Sequence, residues 1–126
     1  MGYLTRVEGR ISIHPPLIVK ELREHPEITD PNGSVIVRVN KVSEPTDYGR
    51  AVTLTGVFIE CVTEEGFKAY NLEDEVMHIA ELFPDRTFIG FLECDGEEKS
   101  DLWRLVGHGN TIDRVEPLLL WPEGSE

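Results

Sequence analysis

The strongest constraint on the fold is one helical stripe in the middle of the chain. Apolar side chains recur there at i, i+4, i+7, i+8 and i+11, which are Leu72, Val76, Ile79, Ala80 and Phe83. This spacing predicts a helix that buries one face against a core. Asn71 is a suitable N-cap, three acids follow in the first turn where the helix dipole favours them, and Pro84 marks the end.

Strand patterns surround this helix. Residues 3–13 alternate with a period of two, which predicts a half-buried strand with one face formed by Tyr3, Thr5, Val7, Gly9, Ile11 and Ile13. Pro15-Pro16 stops the strand, and a short helix is expected from Leu17 to His25 before Pro26. Further strands are predicted at 34–42, 51–62, 86–94, 102–106 and 111–116, with a loop at 44–49. Both faces of segment 51–62 are apolar, so its inward face stays open.

The predicted order is therefore β-α-β-β-α-β-β-β. Its first six elements match the ferredoxin-like split βαβ pattern. We expect an α+β fold in which two helices pack on one face of an antiparallel sheet that C-terminal hairpin strands extend. This single ferredoxin-like domain would span residues 1–117. Residues 118–126 form a tail that is first apolar and then polar.

Charge is the strongest indication of function. The chain has a formal net charge of −12, and residues 60–101 hold thirteen acids against three bases, a net charge of −10. Such a field repels phosphate backbones and attracts a basic protein surface. We therefore expect no direct nucleic-acid binding, and a small acidic accessory protein that docks on a basic host protein. The predicted docking residues are Glu73, Asp74, Glu75, Glu97, Glu98 and Asp101.

Other classes of function have little support in the residues. The acidic segment 93–101 lacks the ligand spacing of a calcium loop, and Cys94 has no nearby zinc-binding partner, so no metal or cofactor is expected. No local catalytic motif is present and the sequence indicates no catalytic residue, which favours a protein that is not an enzyme. The chain has no apolar run long enough to span a membrane and no export signal. Cys61 and Cys94 are interpreted as reduced thiols, so we expect a cytoplasmic protein.

Two alternatives to the acidic docking surface stay open. In the first, a small-ligand-binding domain or a small enzyme has a pocket between the sheet and the tail, lined by Tyr3, Arg6, Trp103 and Arg104. In the second, the protein is a structural homodimer. Its contact would be the apolar part of the tail, Leu118, Leu119, Leu120 and Trp121.

The N-terminus also carries a resemblance. Gly2-Tyr3-Leu4-Thr5-Arg6 leads through a strand to Pro15-Pro16, and Trp103-Arg104 lies in a late strand. This pattern resembles a group of small proteins of unknown function from actinobacteria and their phages. The layout is also similar to a ferredoxin-like family of phage proteins. The resemblance implies a small cytoplasmic accessory protein and allows a phage origin, and it transfers no binding or catalytic residue.

Overall fold

The chain folds around one six-stranded sheet. A computed structural model describes residues 5–30, 33–62, 71–96 and 102–117. Its elements are β1 (Thr5–His14), α1 (Val19–Glu24), a 3-10 helix (Pro26–Thr29), β2 (Val35–Thr46), β3 (Gly49–Cys61), α2 (Leu72–Leu82), β4 (Thr87–Gly96), β5 (Leu102–His108) and β6 (Thr111–Val115). The strands lie in the order β2-β3-β1-β4-β5-β6, and each neighbouring pair is antiparallel.

The ferredoxin-like prediction is wrong. That fold needs two helices packed on one face of the sheet, and the structure does not show them. The first helix was expected from Leu17, but α1 begins only at Val19, and Leu17 is already buried in the core ahead of it. With six residues α1 is about 9 Å long and has no buried residue. A helix this short cannot form a layer over a six-stranded sheet.

Helix α2 is present as predicted and organises the core. All five residues of its apolar stripe are buried, and they pack on one face of the sheet, which we call the inner face. The inner-face residues of the strands are Val7, Ile11, Ile13, Val35, Val37, Val57, Ile59, Phe88, Leu92, Cys94, Trp103, Leu105 and Ile112. This settles the orientation of β3, since Val57 and Ile59 point inward. The opposite, outer face has no helix on it in the described part of the chain.

The sheet curves around α2. The helix contacts both edge strands, β2 and β6, whereas a flat sheet of six strands would be about 24 Å wide. Glycines at the centre allow this curvature. Gly90 in β4 has φ +110°, and a Cβ there would lie 2.6 Å from the carbonyl oxygen of Arg10 in β1. Gly9 in β1 has φ +97°, and its Cβ would lie 2.5 Å from the carbonyl oxygen of Phe91. The two strands therefore approach more closely than side chains would permit.

The β2–β3 hairpin extends beyond the body as a two-stranded ribbon. Residues 44–49 were predicted to be a loop, but pairing continues to Thr46 opposite Gly49, with a bulge between Asn40 and Lys41. We call residues 41–54 the arm and the rest of the described chain the body. Its side chains are exposed except for the half-buried Leu54, and Tyr48 at the tip is fully exposed.

Candidate functional site

The helices and their connections form one continuous side of the molecule. Arg86, which follows α2, donates to Glu21 of α1, to Asp85 (2.8 Å) and to the carbonyl oxygen of Pro15 (3.0 Å). The ring of His25 meets Phe83 edge to face at 5.5 Å. These contacts fix α1 and the 3-10 helix beside the C-terminal end of α2. Residues 15–30 and 71–86 together are called the helix side.

The helix side is strongly acidic. It holds nine acids and three bases, a net charge of −6. Five of the exposed acids are Glu24, Glu27, Asp74, Glu81 and Asp85. The outer face of the sheet body is different, because it mixes four arginines (Arg6, Arg10, Arg38, Arg104) with five acids (Glu8, Glu60, Glu93, Asp95, Asp113), a net charge of −1. The fold therefore concentrates negative charge on one side.

The predicted docking residues at the start of α2 have different environments. Glu73 pairs with Arg114 of β6 at 3.2 Å, and Glu75 accepts a hydrogen bond from the backbone N–H of Ser34 at 3.0 Å. Both are half-buried and join α2 to the two sheet edges, whereas Asp74 between them is exposed. Glu97, Glu98 and Asp101 lie outside the described residues. Asp74 is thus the predicted residue whose placement suits an external partner.

Arg114 shows why Glu73 is structural. Its guanidinium lies 4.0 Å from the centre of the Trp103 ring and also bonds Glu116 at 3.0 Å. Burial lowers the pKa of Arg114, but the hydrogen bonds and charges of Glu116 and Glu73 outweigh burial and raise that pKa above its ordinary value. Arg114 therefore stays charged, and it holds the first turn of α2 against β5 and β6.

The charge count along the sequence missed part of this surface. Glu24 and Glu27 belong to the N-terminal half of the chain, where acids and bases balance, and only packing brings them next to α2. Glu81 could have been found from sequence. It follows Asp74 by seven residues, which is two helical turns, so the two carboxylates share one face of α2.

Three residues of the predicted ligand pocket, Arg6, Trp103 and Arg104, lie in the described part of the chain, and they line two cavities. Arg6 lines a cavity of about 590 Å³ with Arg38, Glu60 and the end of β3. Trp103 and Arg104 line a separate cavity of about 200 Å³ beside Val115 and Pro117. Trp103 is buried on the inner face, whereas Arg104 is on the outer face and bonds Glu93 at 2.8 Å. Tyr3 lies outside the described residues, as do the predicted dimer residues Leu118, Leu119, Leu120 and Trp121.

Within residues 5–30, 33–62, 71–96 and 102–117, no three His, Cys, Asp or Glu side chains cluster in a way that could hold a metal ion. Over the same ranges, neither helix has the length or apolar character to span a membrane. Of the two cysteines, Cys94 is buried in the core and Cys61 is half-buried.

Comparison with known proteins gives a family. A search of curated proteins and a search of solved structures each found no match. One family model matches residues 1–126, the whole length of the chain. It describes a family of unknown function, in agreement with the unknown function of the group that the N-terminus resembles. The chain belongs to this family, DUF6205.

Proposed function

We propose that the protein is a cytoplasmic, non-enzymatic interaction protein that docks on a basic protein surface through its helix side. The observation that carries this proposal is the unequal charge of the two sides, −6 on the helix side and −1 on the outer face. A random spread of surface charge would serve solubility equally well. Because the acids are concentrated on one side, the molecule attracts a positively charged protein surface mainly to that side.

The exposed carboxylates supply the contacts. Glu24, Asp74 and Glu81 project from two helices that Arg86 holds together, so their relative positions are set before a partner arrives. Preorganised charges of one sign accelerate encounter with an oppositely charged patch and select against partners of the same sign. The same field disfavours phosphate backbones, so the expected partner is a protein with clustered lysine or arginine.

The test compares two variants with the same net charge. Asp74→Lys with Glu81→Lys reverses two carboxylates of the helix side, and Glu8→Lys with Asp95→Lys reverses two of the outer face. All four residues are exposed. The unaltered protein first captures its partner from a host lysate, and the partner is identified and purified. Its Kd is then measured for all three proteins at low and moderate salt by isothermal titration calorimetry.

We expect the helix-side variant to bind at least tenfold more weakly and with a smaller dependence on salt. The outer-face variant should bind within about threefold of the unaltered protein, because screening and attraction act mainly within a Debye length of about 10 Å. An equal loss of affinity in both variants would show that net charge alone matters. A Kd that does not change with salt concentration would exclude electrostatic docking. Either result contradicts the proposal.

A further inference from the structure

A groove runs between α2 and β6, the last strand of the sheet. Its volume is about 390 Å³, and the buried Ala80 and Ile112 and the half-buried Met77 give it apolar walls. Methionine is flexible, so the part of the wall that Met77 forms can adjust to an occupant. The groove is therefore a place where an apolar side chain of another molecule can be buried.

Two contacts join the walls of this groove. At one end, Asn110 Nδ2 donates a hydrogen bond to the carbonyl oxygen of Pro84 at 3.0 Å. Towards the other end, Glu73 pairs with Arg114 at 3.2 Å, and Glu73 lies one helical turn before Met77. The helix and the strand are thus tied together on both sides of the groove. Its shape is set before an occupant arrives, which lowers the cost of binding.

The strand beside the groove is an edge strand. Within the described chain β6 pairs only with β5. Alternate residues of an antiparallel strand direct their N–H and C=O groups to opposite sides, so the free side of β6 offers donors and acceptors to a further strand. Such a strand would continue the inner face, on which Ile112 is buried. Every second side chain of that strand would therefore point between the sheet and α2, where the groove lies.

Charge indicates what kind of segment suits this edge. Of the described residues that line the groove, Glu81 is the one that carries a charge. It is exposed and makes no ion pair or hydrogen bond with any described residue. A lysine or arginine two positions from the side chain in the groove would lie on the same face of the added strand, about 7 Å along it, within reach of Glu81. The carboxylate thus favours a basic segment and disfavours an acidic one.

We propose that the basic partner binds through an extended segment that pairs with β6, places an apolar side chain in the groove and sets a lysine or arginine beside Glu81. In strand addition of this kind, main-chain hydrogen bonds supply affinity, and pockets for alternate side chains supply specificity. The inference rests on the docking function proposed above, and it names the form of the segment that docks.

A peptide titration followed by NMR of the full chain tests this mode of binding. The probe is Thr-Lys-Thr-Leu-Thr-Lys-Thr with blocked termini, added up to about 5 mM. We expect the backbone amide signals of Met77, Glu81 and β6 to shift, and those of β2, the other edge strand, to stay unchanged. Replacing both lysines of the peptide by glutamate, or its leucine by serine, should each weaken binding at least tenfold.

A pair of protein variants with equal net charge locates the contact. Glu81→Lys should weaken peptide binding at least tenfold. The control is Glu24→Lys, because Glu24 is also an exposed acid of the helix side but belongs to α1. This control should bind the peptide within about threefold of the unaltered protein. Equal losses of affinity in the two variants would overturn the proposal.

Methylation of the peptide backbone tests the strand pairing itself. One form of the peptide is N-methylated at its threonines and the other at its lysines and leucine. Pairing along one side uses only every second N–H, so one form should bind about as well as the unmodified peptide and the other at least tenfold more weakly. Equal binding of the two forms, or no binding of the unmodified peptide, would overturn the proposal. The same amide shifts on concentrating the protein alone would make a second copy the occupant and would also overturn it.

The outcomes separate this inference from the docking function on which it rests. If the captured partner shows the expected loss of affinity with the helix-side variant but the peptide does not bind, strand addition is wrong and docking stands. If the Kd of the captured partner does not change with salt concentration, both proposals are wrong.

Discussion

The two halves of the β2–β3 ribbon differ in burial although they share the same strands and the same antiparallel ladder. In the half next to the rest of the sheet, Val35, Val37, Val57 and Ile59 are buried in the core that α2 and the 3-10 helix also join. In the arm, residues 41–53 are all exposed. Backbone pairing is therefore not what separates a folded core from a projecting ribbon. Burial in this core stabilises the first half, and an isolated two-stranded ribbon is only marginally stable in water.

The largest difference between the halves should appear when a β3 side chain is truncated. Ile59 is 0% exposed, and Ile59→Ala should lower the free energy of unfolding by about 2–5 kcal/mol, because it removes buried methyl groups and leaves a cavity. Val52→Ala in the arm should change it by less than about 0.5 kcal/mol. Urea unfolding followed by circular dichroism measures both. A similar loss in both variants would show that the arm belongs to the cooperative fold.

A smaller difference should separate two glycines with positive φ. Gly90 (φ +110°) lies in the body and faces the Arg10 carbonyl oxygen, whereas Gly49 (φ +136°) lies in the arm and has no atom within 4 Å of an added Cβ. Both alanine variants strain the backbone, but only Gly90→Ala also forces β1 and β4 apart. We expect a loss of about 2–3 kcal/mol for Gly90→Ala and under about 1 kcal/mol for Gly49→Ala, since strain in the arm need not reach the core.

Thermal unfolding of the two glycine variants at one low protein concentration checks this order. A melting temperature lowered more by Gly49→Ala than by Gly90→Ala would contradict the distinction between body and arm.

Sequence periodicity correctly predicted those features that are determined within one helix or one strand. The stripe of α2 and the inward side chains of β1 follow from spacing alone, because each alternation is completed within one element. The arm was missed for a specific reason. Pro45, Asp47 and Gly49 are turn-forming residues, but Pro45 lies in an edge strand of the described sheet, where a missing N–H is tolerated. Composition therefore predicted a loop of six residues where the ladder continues almost to the tip.

The fold class and the charged side needed tertiary information. The order of elements fits several packings. The structure shows no second helical layer because α1 is only six residues long, and sequence patterns locate the ends of a helix poorly. Charge summed along the chain assigned the acidity to the middle third. The Arg86 contacts that bring Glu24 and Glu27 beside α2 join residues more than sixty positions apart, and no local pattern reveals them.

Hydrogen–deuterium exchange of the full chain tests the central claim most directly. The claim is that burial in the core, and not backbone pairing, stabilises the β2–β3 ribbon. We expect the amides of residues 35–39 and 57–61 to be protected, and those of residues 41–54 to exchange rapidly although they belong to the same ladder. Protection of the arm equal to that of residues 35–39 and 57–61 would contradict the account.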